Sequence, residues 1–416
     1  MSLLRLKQQI LRLLKWSQKY TKTDMVYLAH GSFWMILRQV ATSLIAFGMA
    51  IAFANLLPKE TYGAYKYVLS TAILLAITTM SGINTSLTRS VAKGYEGSMM
   101  QALYSRVRWG VLGSLLALGI VLYYDIQGST MLSMAFLIVM VFLPFKSSFS
   151  VYQSFWQGKQ RFDFFSKLGI FQALLATIPL FIALFLTDDL FLIILVYFCA
   201  QTFASALLFF FTLHRRSNDE QDPEAISFGK HLSLSGMLFA IANNCTDIIL
   251  WHLLGPVPVA VYAFATRPPQ ELRRVFTEAF PIALPKFAQR SKEEIQRTLL
   301  KKIAKLYLAI VPCVIGYILV APFIFQLFFP AYLEAVRYSQ IFSLTILFAP
   351  LSLFGIVFQA LGRTREMYVI SILSPILLIA ALLIFVPLYG LMGAVIALLA
   401  EIAIQSIVVI TLFKRM

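Results

Sequence analysis

The stretch Ala265-Thr266-Arg267-Pro268-Pro269-Gln270-Glu271-Leu272-Arg273-Arg274 carries the strongest chemical signal in the chain. It lies inside an apolar segment that runs from about Pro256 to Pro285. Two adjacent prolines remove backbone donors and crowd the preceding turn. A charged side chain at bilayer depth costs on the order of 3 kcal/mol unless it faces protein or water. The pattern therefore reads as the wall of a polar cavity inside a membrane. Oriented cations in a low-dielectric cavity attract phosphate strongly. Arg267, Arg273 and Arg274 are thus candidate anion contacts, together with Arg38 and Lys146, the other basic residues within apolar segments. Asn243 and Asn244 join them as neutral substrate-binding candidates.

Two readings stand beside each of these groups. Glu271 can pair with Arg267 (i, i+4) and Arg274 (i, i+3), which makes a structural ion-pair cluster the alternative to substrate contact. Arg273 and Arg274 can instead reach towards the inner interface. Asp247, on one helical face with Asn243, and Glu401 are candidate proton or cation coupling sites, or hydrogen-bonded braces between helices. With Glu271 and Glu278 included, acids nearly balance the bases within the apolar segments. The cationic-cavity argument therefore rests on position, not on total charge.

Covalent chemistry has no carrier. There is no GxxxxGK[ST], GxSxG or HExxH, so the chain is expected not to be an enzyme and not to hydrolyse ATP itself. The three cysteines, Cys199, Cys245 and Cys313, sit singly in apolar segments without metal-ligand spacing. No metal or cofactor is expected.

The elements that must position these groups are membrane helices. The chain has 416 residues, is 59% hydrophobic and 13% charged, with mean hydropathy +0.79. Apolar runs of about 20 residues recur throughout, the length a bilayer demands. The reading is an all-α polytopic membrane protein with twelve spans: 32–56, 65–88, 108–124, 131–155, 164–187, 190–213, 231–253, 257–285, 302–324, 338–360, 366–388 and 390–413. The net charge of +16 suggests nucleic acid at first sight, but the positive-inside rule accounts for it. With the N-terminus inside, Lys59, Lys66 and Arg337 are the outside basic residues, and nearly all the others fall in inside segments. Both termini are expected in the cytoplasm. Residues 1–30 read as an amphipathic helix on the inner leaflet, since Leu3, Leu6, Ile10, Leu13 and Leu14 share a face. Tyr62, Tyr123, Tyr124, Trp156 and Trp251 read as interface anchors.

The two halves repeat. Leu56-Leu57 followed by Tyr65 matches Leu253-Leu254 followed by Tyr262 at an offset of 197. Gly158-Lys159-Gln160-Arg161 matches Gly362-Arg363-Thr364-Arg365 at an offset of 204. Six spans per repeat make the halves parallel, a transporter architecture with its site between them near the midplane. The expected units are 31–213, a polar linker at 214–230, and 231–416.

Several stretches carry a resemblance. Ala54-Asn55-Leu56-Leu57-Pro58-Lys59-Glu60-Thr61-Tyr62-Gly63 resembles the turn after the first span of the Wzx-type polysaccharide flippases. These belong to the multidrug/oligosaccharidyl-lipid/polysaccharide (MOP) exporter superfamily. Gly82 followed by Thr88-Arg89-Ser90-Val91-Ala92 resembles that family's second span and its exit. Phe328-Phe329-Pro330-Ala331-Tyr332-Leu333-Glu334-Ala335, Leu361-Gly362-Arg363-Thr364 and Tyr389-Gly390-Leu391-Met392-Gly393-Ala394 resemble its later loops and the start of span 12. The departure is at span 8, where Arg267-Pro268-Pro269 and Arg273-Arg274 replace a milder helix.

The resemblance implies two six-helix bundles in a MATE-like V. It implies transfer of undecaprenyl-pyrophosphate-linked oligosaccharide across the bacterial inner membrane by alternating access, with a polysaccharide polymerase as a possible partner and no nucleic acid. The competing expectation is a MATE-like exporter that trades protons or sodium for drugs or organic cations, with Asp247 and Glu401 as coupling groups. A membrane glycosyltransferase is disfavoured, because the longest outside loop, 325–337, holds Glu334 as its one acid.

Overall fold

The computed structural model describes residues 25–277, 280, 287 and 292–415, apart from the side chains of 25–30, 235, 239, 243, 292, 293 and 300. Residues 1–24 of the expected surface helix and 278, 279 and 281–285 of the expected eighth span lie outside the described residues. Among those described there is no strand. The helices run α1 Met25–Leu56, α2 Lys59–Leu75, α3 Gly82–Ala92, α4 Ser98–Ile126, α5 Thr130–Ser148, α6 Val151–Gly158, α7 Phe162–Leu186 and α8 Leu190–Leu213. They continue as α9 Ala225–Leu254, α10 Pro256–Thr277, α11 Lys292–Phe328, α12 Ala335–Ser343, α13 Ser352–Ala360, α14 Thr364–Tyr389 and α15 Leu391–Arg415.

Over its described residues, each expected span coincides with a helix or a broken run of helix. Ten described stretches are long and apolar enough to cross a membrane, or eleven with the bent pair α2–α3 taken as one. The remaining span is α10, whose own arginines, glutamate and prolines lower its hydropathy. The 50° bend between α2 and α3 has a local cause. Thr78 and Thr79 donate their hydroxyls to the carbonyls of Leu75 and Ala76 at 2.8 and 2.7 Å. Such back-bonding competes with the helical ladder. The chain tightens into a 3-10 turn at Ala76–Thr79, passes through Met80 at φ 56°, and restarts at Gly82.

The two halves meet at two backbone crossings. A Cβ on Gly63 of α2 would stand 1.9 Å from the Pro256 carbonyl oxygen of α10. One on Gly82 of α3 would stand 2.5 Å from the Ser233 nitrogen of α9. Only glycine permits such approach. Around the first crossing the aromatics interlock. Tyr62 stacks on Phe264 at 4.7 Å and Tyr67 on Trp251 at 4.5 Å. The Tyr67 and Tyr124 hydroxyls share a 2.8 Å hydrogen bond. This corrects the expectation of interface anchors. Tyr62, Tyr124 and Trp156 are buried, Trp251 is half-buried, and only Tyr123 is exposed. Their polar tips find protein partners, as Trp156 does in the Thr212 hydroxyl at 2.9 Å.

Around the second crossing the contacts are polar. The Ser86 hydroxyl donates to the Ala225 carbonyl at 2.5 Å. The Ser90 hydroxyl donates to Asp222 at 2.8 Å and holds that carboxyl below its usual range. Residues 217–222 are thus tied to the α3–α4 turn, where Glu96 pairs with Lys159 and accepts from the Ser217 N–H at 2.7 Å.

The repeat is visible in backbone geometry. Helices α2 and α10 begin at Lys59 and Pro256, the offset of 197 read from sequence. At the inner loops the equivalent residues are Arg161 (φ −91°, ψ 70°) and Arg363 (φ −78°, ψ 73°). Their N–H groups close matching turns onto the Trp156 and Phe358 carbonyls. The true offset there is 202, and it sets Gln160 (φ 57°) opposite Gly362 (φ 65°). The sequence match at 204 is two residues out of register, because it aligned glycines rather than the left-handed residue itself.

Candidate functional site

Between the two crossings lies a cavity of about 590 Å³, walled by α1, α2, α9 and α10. Each wall shows a polar stripe at helical spacing. Gln39, Thr42 and Ser43 come from α1, and Tyr62, Lys66 and Ser70 from α2. Asn244 and Asp247 come from α9, and Arg267, Gln270, Glu271 and Arg274 from α10. Positions i, i+3, i+4 and i+7 share one face of a helix, so the α10 stripe follows directly from its sequence. Leu378 of α14 and Leu398 of α15 close the side.

The charges in this cavity are differently satisfied. Lys66 and Asp247 form an ion pair across the halves at 3.6 Å. The Ser70 hydroxyl donates to the same Asp247 oxygen at 2.5 Å. Arg274 pairs with Glu271 at 2.8 Å, but both are exposed, so the pair is weak. Arg267 donates to the Ala46 carbonyl of α1 at 3.2 Å. Among the described residues no carboxylate lies within 4.0 Å of it. Glu271 therefore takes Arg274 and not Arg267, of the two partners its spacing allowed. Arg267 stands in a polar cavity with unspent donors, the condition under which a guanidinium binds phosphate.

The other candidates lie elsewhere. The Arg38 guanidinium sits 4.1 Å over the Phe165 ring and 3.5 Å from the Gln153 carbonyl oxygen, against Gly169 of α7. Lys146 donates to the Tyr197 hydroxyl at 3.1 Å and faces the Tyr197 and Phe198 rings. Both are packed within the first half. Arg273 lines a separate cavity of about 190 Å³ with Ser352 and Gln405. Glu401 accepts the Ser374 hydroxyl and so links α15 to α14. Asn244 lines the main cavity and donates to the Ala240 carbonyl at 2.9 Å. The Asn243 side chain lies outside the described residues. No three described His, Cys, Asp or Glu side chains converge as a metal site needs.

Sequence reasoning missed Lys66, which it placed in an outside loop. The available signal was its register, one turn from Tyr62 and one from Ser70 on the same face of α2. Arg106 was placed in an inside segment in the same way. It is buried and donates to Asn84, to Ser150 at 3.4 Å and to Thr79 at 3.4 Å.

A family profile described as "Polysaccharide biosynthesis protein" matches residues 28–289. The chain belongs to the polysaccharide biosynthesis protein family. The match covers α1 to α10 and so includes the main walls of the cavity. Solved structures agree in fold. The inward closed conformation of the lipid II flippase MurJ aligns with TM-score 0.65 at 12% identity, over 91% of this chain and 87% of that one. An inward-facing multidrug resistance MATE family transporter of the MOP superfamily aligns with TM-score 0.67 at 14% identity, over 90% of this chain and 94% of that one. A MOP superfamily transporter from Pyrococcus furiosus, described as having a binding pocket of reversed polarity, aligns with TM-score 0.56 at 15% identity, over 94% and 95%. Identities this low establish the MOP-type fold alone. A comparison with curated protein sequences gave no match. This member of the polysaccharide biosynthesis family is thus an all-α, multi-pass membrane protein with a transporter fold and a polar cavity at the join of its halves.

Proposed function

We propose that this protein moves undecaprenyl-pyrophosphate-linked oligosaccharide units from the cytoplasmic to the periplasmic leaflet of the bacterial inner membrane by alternating access. The observation that carries the reading is Arg267, a cation with no carboxylate partner among the described residues, in a cavity between the halves. A pyrophosphate presents the bidentate oxygens that a guanidinium matches. Arg274 is the second anion contact, about two turns along the same stripe and already surface-exposed. Sugar hydroxyls suit the amides and hydroxyls of Gln39, Thr42, Asn244 and Gln270. The positive-inside rule supports a cytoplasmic position for both termini and for the α3–α9 crossing. The α2–α10 crossing then closes the periplasmic end, and transport requires it to part. The polyprenyl tail stays in the bilayer while the headgroup passes. No chemical step is required of the protein, and the delivered unit becomes the substrate of a polymerase or similar partner.

Asp247 in the cavity wall favours a second reading, a MATE-like exporter of organic cations coupled to protons or sodium. Against it, Asp247 is already engaged by Lys66 and Ser70. Purified protein in liposomes, with a fluorescent polyprenyl-pyrophosphate oligosaccharide and an impermeant quencher, separates the two. The flippase reading expects protein-dependent transfer. Arg267→Gln removes about two charge-assisted hydrogen bonds, roughly 3 kcal/mol, and slows transfer by about 100-fold. Absence of transfer together with proton- or sodium-driven cation efflux abolished by Asp247→Asn sinks the flippase reading.

A further inference from the structure

A second large recess lies away from the central cavity. It is about 570 Å³ and is lined by Gln101, Tyr104, Ser105, Arg108, Trp109 and Leu112 of α4 and by Ile226 and Lys230 of α9. None of these residues lines the central cavity, and the proposed transport path does not use them.

Three features of the recess bear on its ligand. Arg108 and Lys230 bring two cations together, and neither has a carboxylate within 4.0 Å among the described residues. The Lys230 ammonium lies 5.4 Å from the centre of the Trp109 ring. The Gln101 side-chain oxygen is buried with no hydrogen-bond partner among the described residues. A buried acceptor left unpaired is costly and calls for a donor.

The recess also sits at a boundary. One turn beyond Arg108, α4 turns an apolar face outward: Val111, Leu112, Leu115 and Leu116 are 48%, 45%, 58% and 56% exposed. Such a face meets acyl chains. Arg108, Trp109 and Tyr104 stand where that face ends, the level at which aromatic and basic side chains meet headgroups. The basic loops put this level at the inner leaflet.

We propose that this recess binds one anionic phospholipid with a polyol headgroup, of the phosphatidylglycerol type, from the cytoplasmic leaflet. Arg108 and Lys230 hold its phosphodiester. A headgroup hydroxyl donates to the Gln101 oxygen, and Ser105 is placed to bond a second. One acyl chain lies along Leu112 and the exposed leucines beyond it. A free phosphate shares the first contact but not the last.

Native mass spectrometry of the full-length protein, stripped of lipid in detergent and titrated with defined lipids, tests this. Wild type is expected to retain one phosphatidylglycerol at least about tenfold more tightly than phosphatidylethanolamine. Two cations near a membrane surface account for roughly that factor. Arg108→Gln with Lys230→Gln should remove the preference. Gln101→Leu should abolish the preference for phosphatidylglycerol over phosphatidic acid while leaving phosphatidic acid bound, a readout that general loosening of the helix would not produce. Glycerophosphate without acyl chains should fail to displace the lipid. Equal retention of phosphatidylglycerol by wild type and the double variant overturns the proposal. So does displacement by glycerophosphate, which would assign the recess to a soluble phosphate. If the double variant does not fold, the wild-type comparison of the two lipids decides, and equal retention refutes the site.

Discussion

Helices α2 and α10 occupy equivalent places in the two halves, and they differ in what they present to the cavity between them. At the offset of 197, Ser70 corresponds to Arg267, Thr71 and Ala72 to Pro268 and Pro269, and Leu74 to Glu271. The two helices also differ in regularity. In α2 the back-bonding threonines end the helix in a 3-10 turn at Ala76–Thr79. In α10 two prolines are carried inside a continuous helix. The first half offers the cavity a hydroxyl and a lysine already paired with Asp247. The second offers a guanidinium with donors to spare. Duplication thus supplies matched positions, and divergence at those positions puts the cavity's guanidinium on one side.

The hardest test of that asymmetry is to invert it. Ser70→Arg with Arg267→Ser moves the cation to the equivalent site on the first half. There it stands one turn from Lys66, a like charge, and competes for Asp247. Transfer of the lipid-linked oligosaccharide should stay about 100-fold below wild type, as for loss of Arg267 alone. Recovery to near wild type in the liposome assay would mean that the cavity needs a cation somewhere but not on α10.

The comparison also shows what a sequence discloses. Hydropathy is a local property, so the ten or eleven apolar spans were legible, and so was the polar stripe of α10, whose period lies within one helix. The partner of Asp247 was not legible. Lys66 is 181 positions away and meets it only when the halves close. Nor does sequence give rotation about a helix axis against its neighbours. Arg38 and Arg267 look alike in the chain, yet one is stacked on Phe165 and the other faces the cavity. Arg273 and Arg274 are adjacent and point into different cavities. The bend after α2 depended on hydroxyls that bond backwards, which hydropathy does not register.

The crossing that joins α2 to α10 should be the most sensitive structural position. Gly63→Ala places a methyl group against backbone that cannot rotate away. Overpacking of this kind costs about 1–3 kcal/mol, so denaturant unfolding should show that loss. Gly48→Ala on α1 has open space around its Cβ and should show none. Equal stability of the two variants would mean that α2 and α10 do not press together at Gly63.

A smaller effect is expected at the ion pair that ties the same helices' walls together. Lys66 is 31% and Asp247 15% exposed at the side chain, so solvent screens part of the attraction. Lys66→Met and Asp247→Asn should each destabilise by about 1–2 kcal/mol, the single changes leaving one charge unmatched. The double variant should lose less than their sum, giving a coupling of about 1 kcal/mol in a double-mutant cycle. Strict additivity would show that the pair does not hold the halves together, and would leave Ser70 as the main partner of Asp247.

The smallest effect on transport should come from a cation that is packed inside the first half, Arg38. Arg38 lies over the Phe165 ring, beside the Gln153 amide and against Gly169, all within that half. Methionine preserves much of its stem and none of its charge. Arg38→Met should lower stability by about 1 kcal/mol through the lost cation–π and hydrogen-bond contacts, and leave transfer within about twofold of wild type. The ratio of the two variants in one assay, Arg267→Gln against Arg38→Met, then measures how far the second half alone reads the anion. A fall in transfer for Arg38→Met comparable to that for Arg267→Gln would bring Arg38 into the substrate path in another conformation, and would make both halves anion-binding.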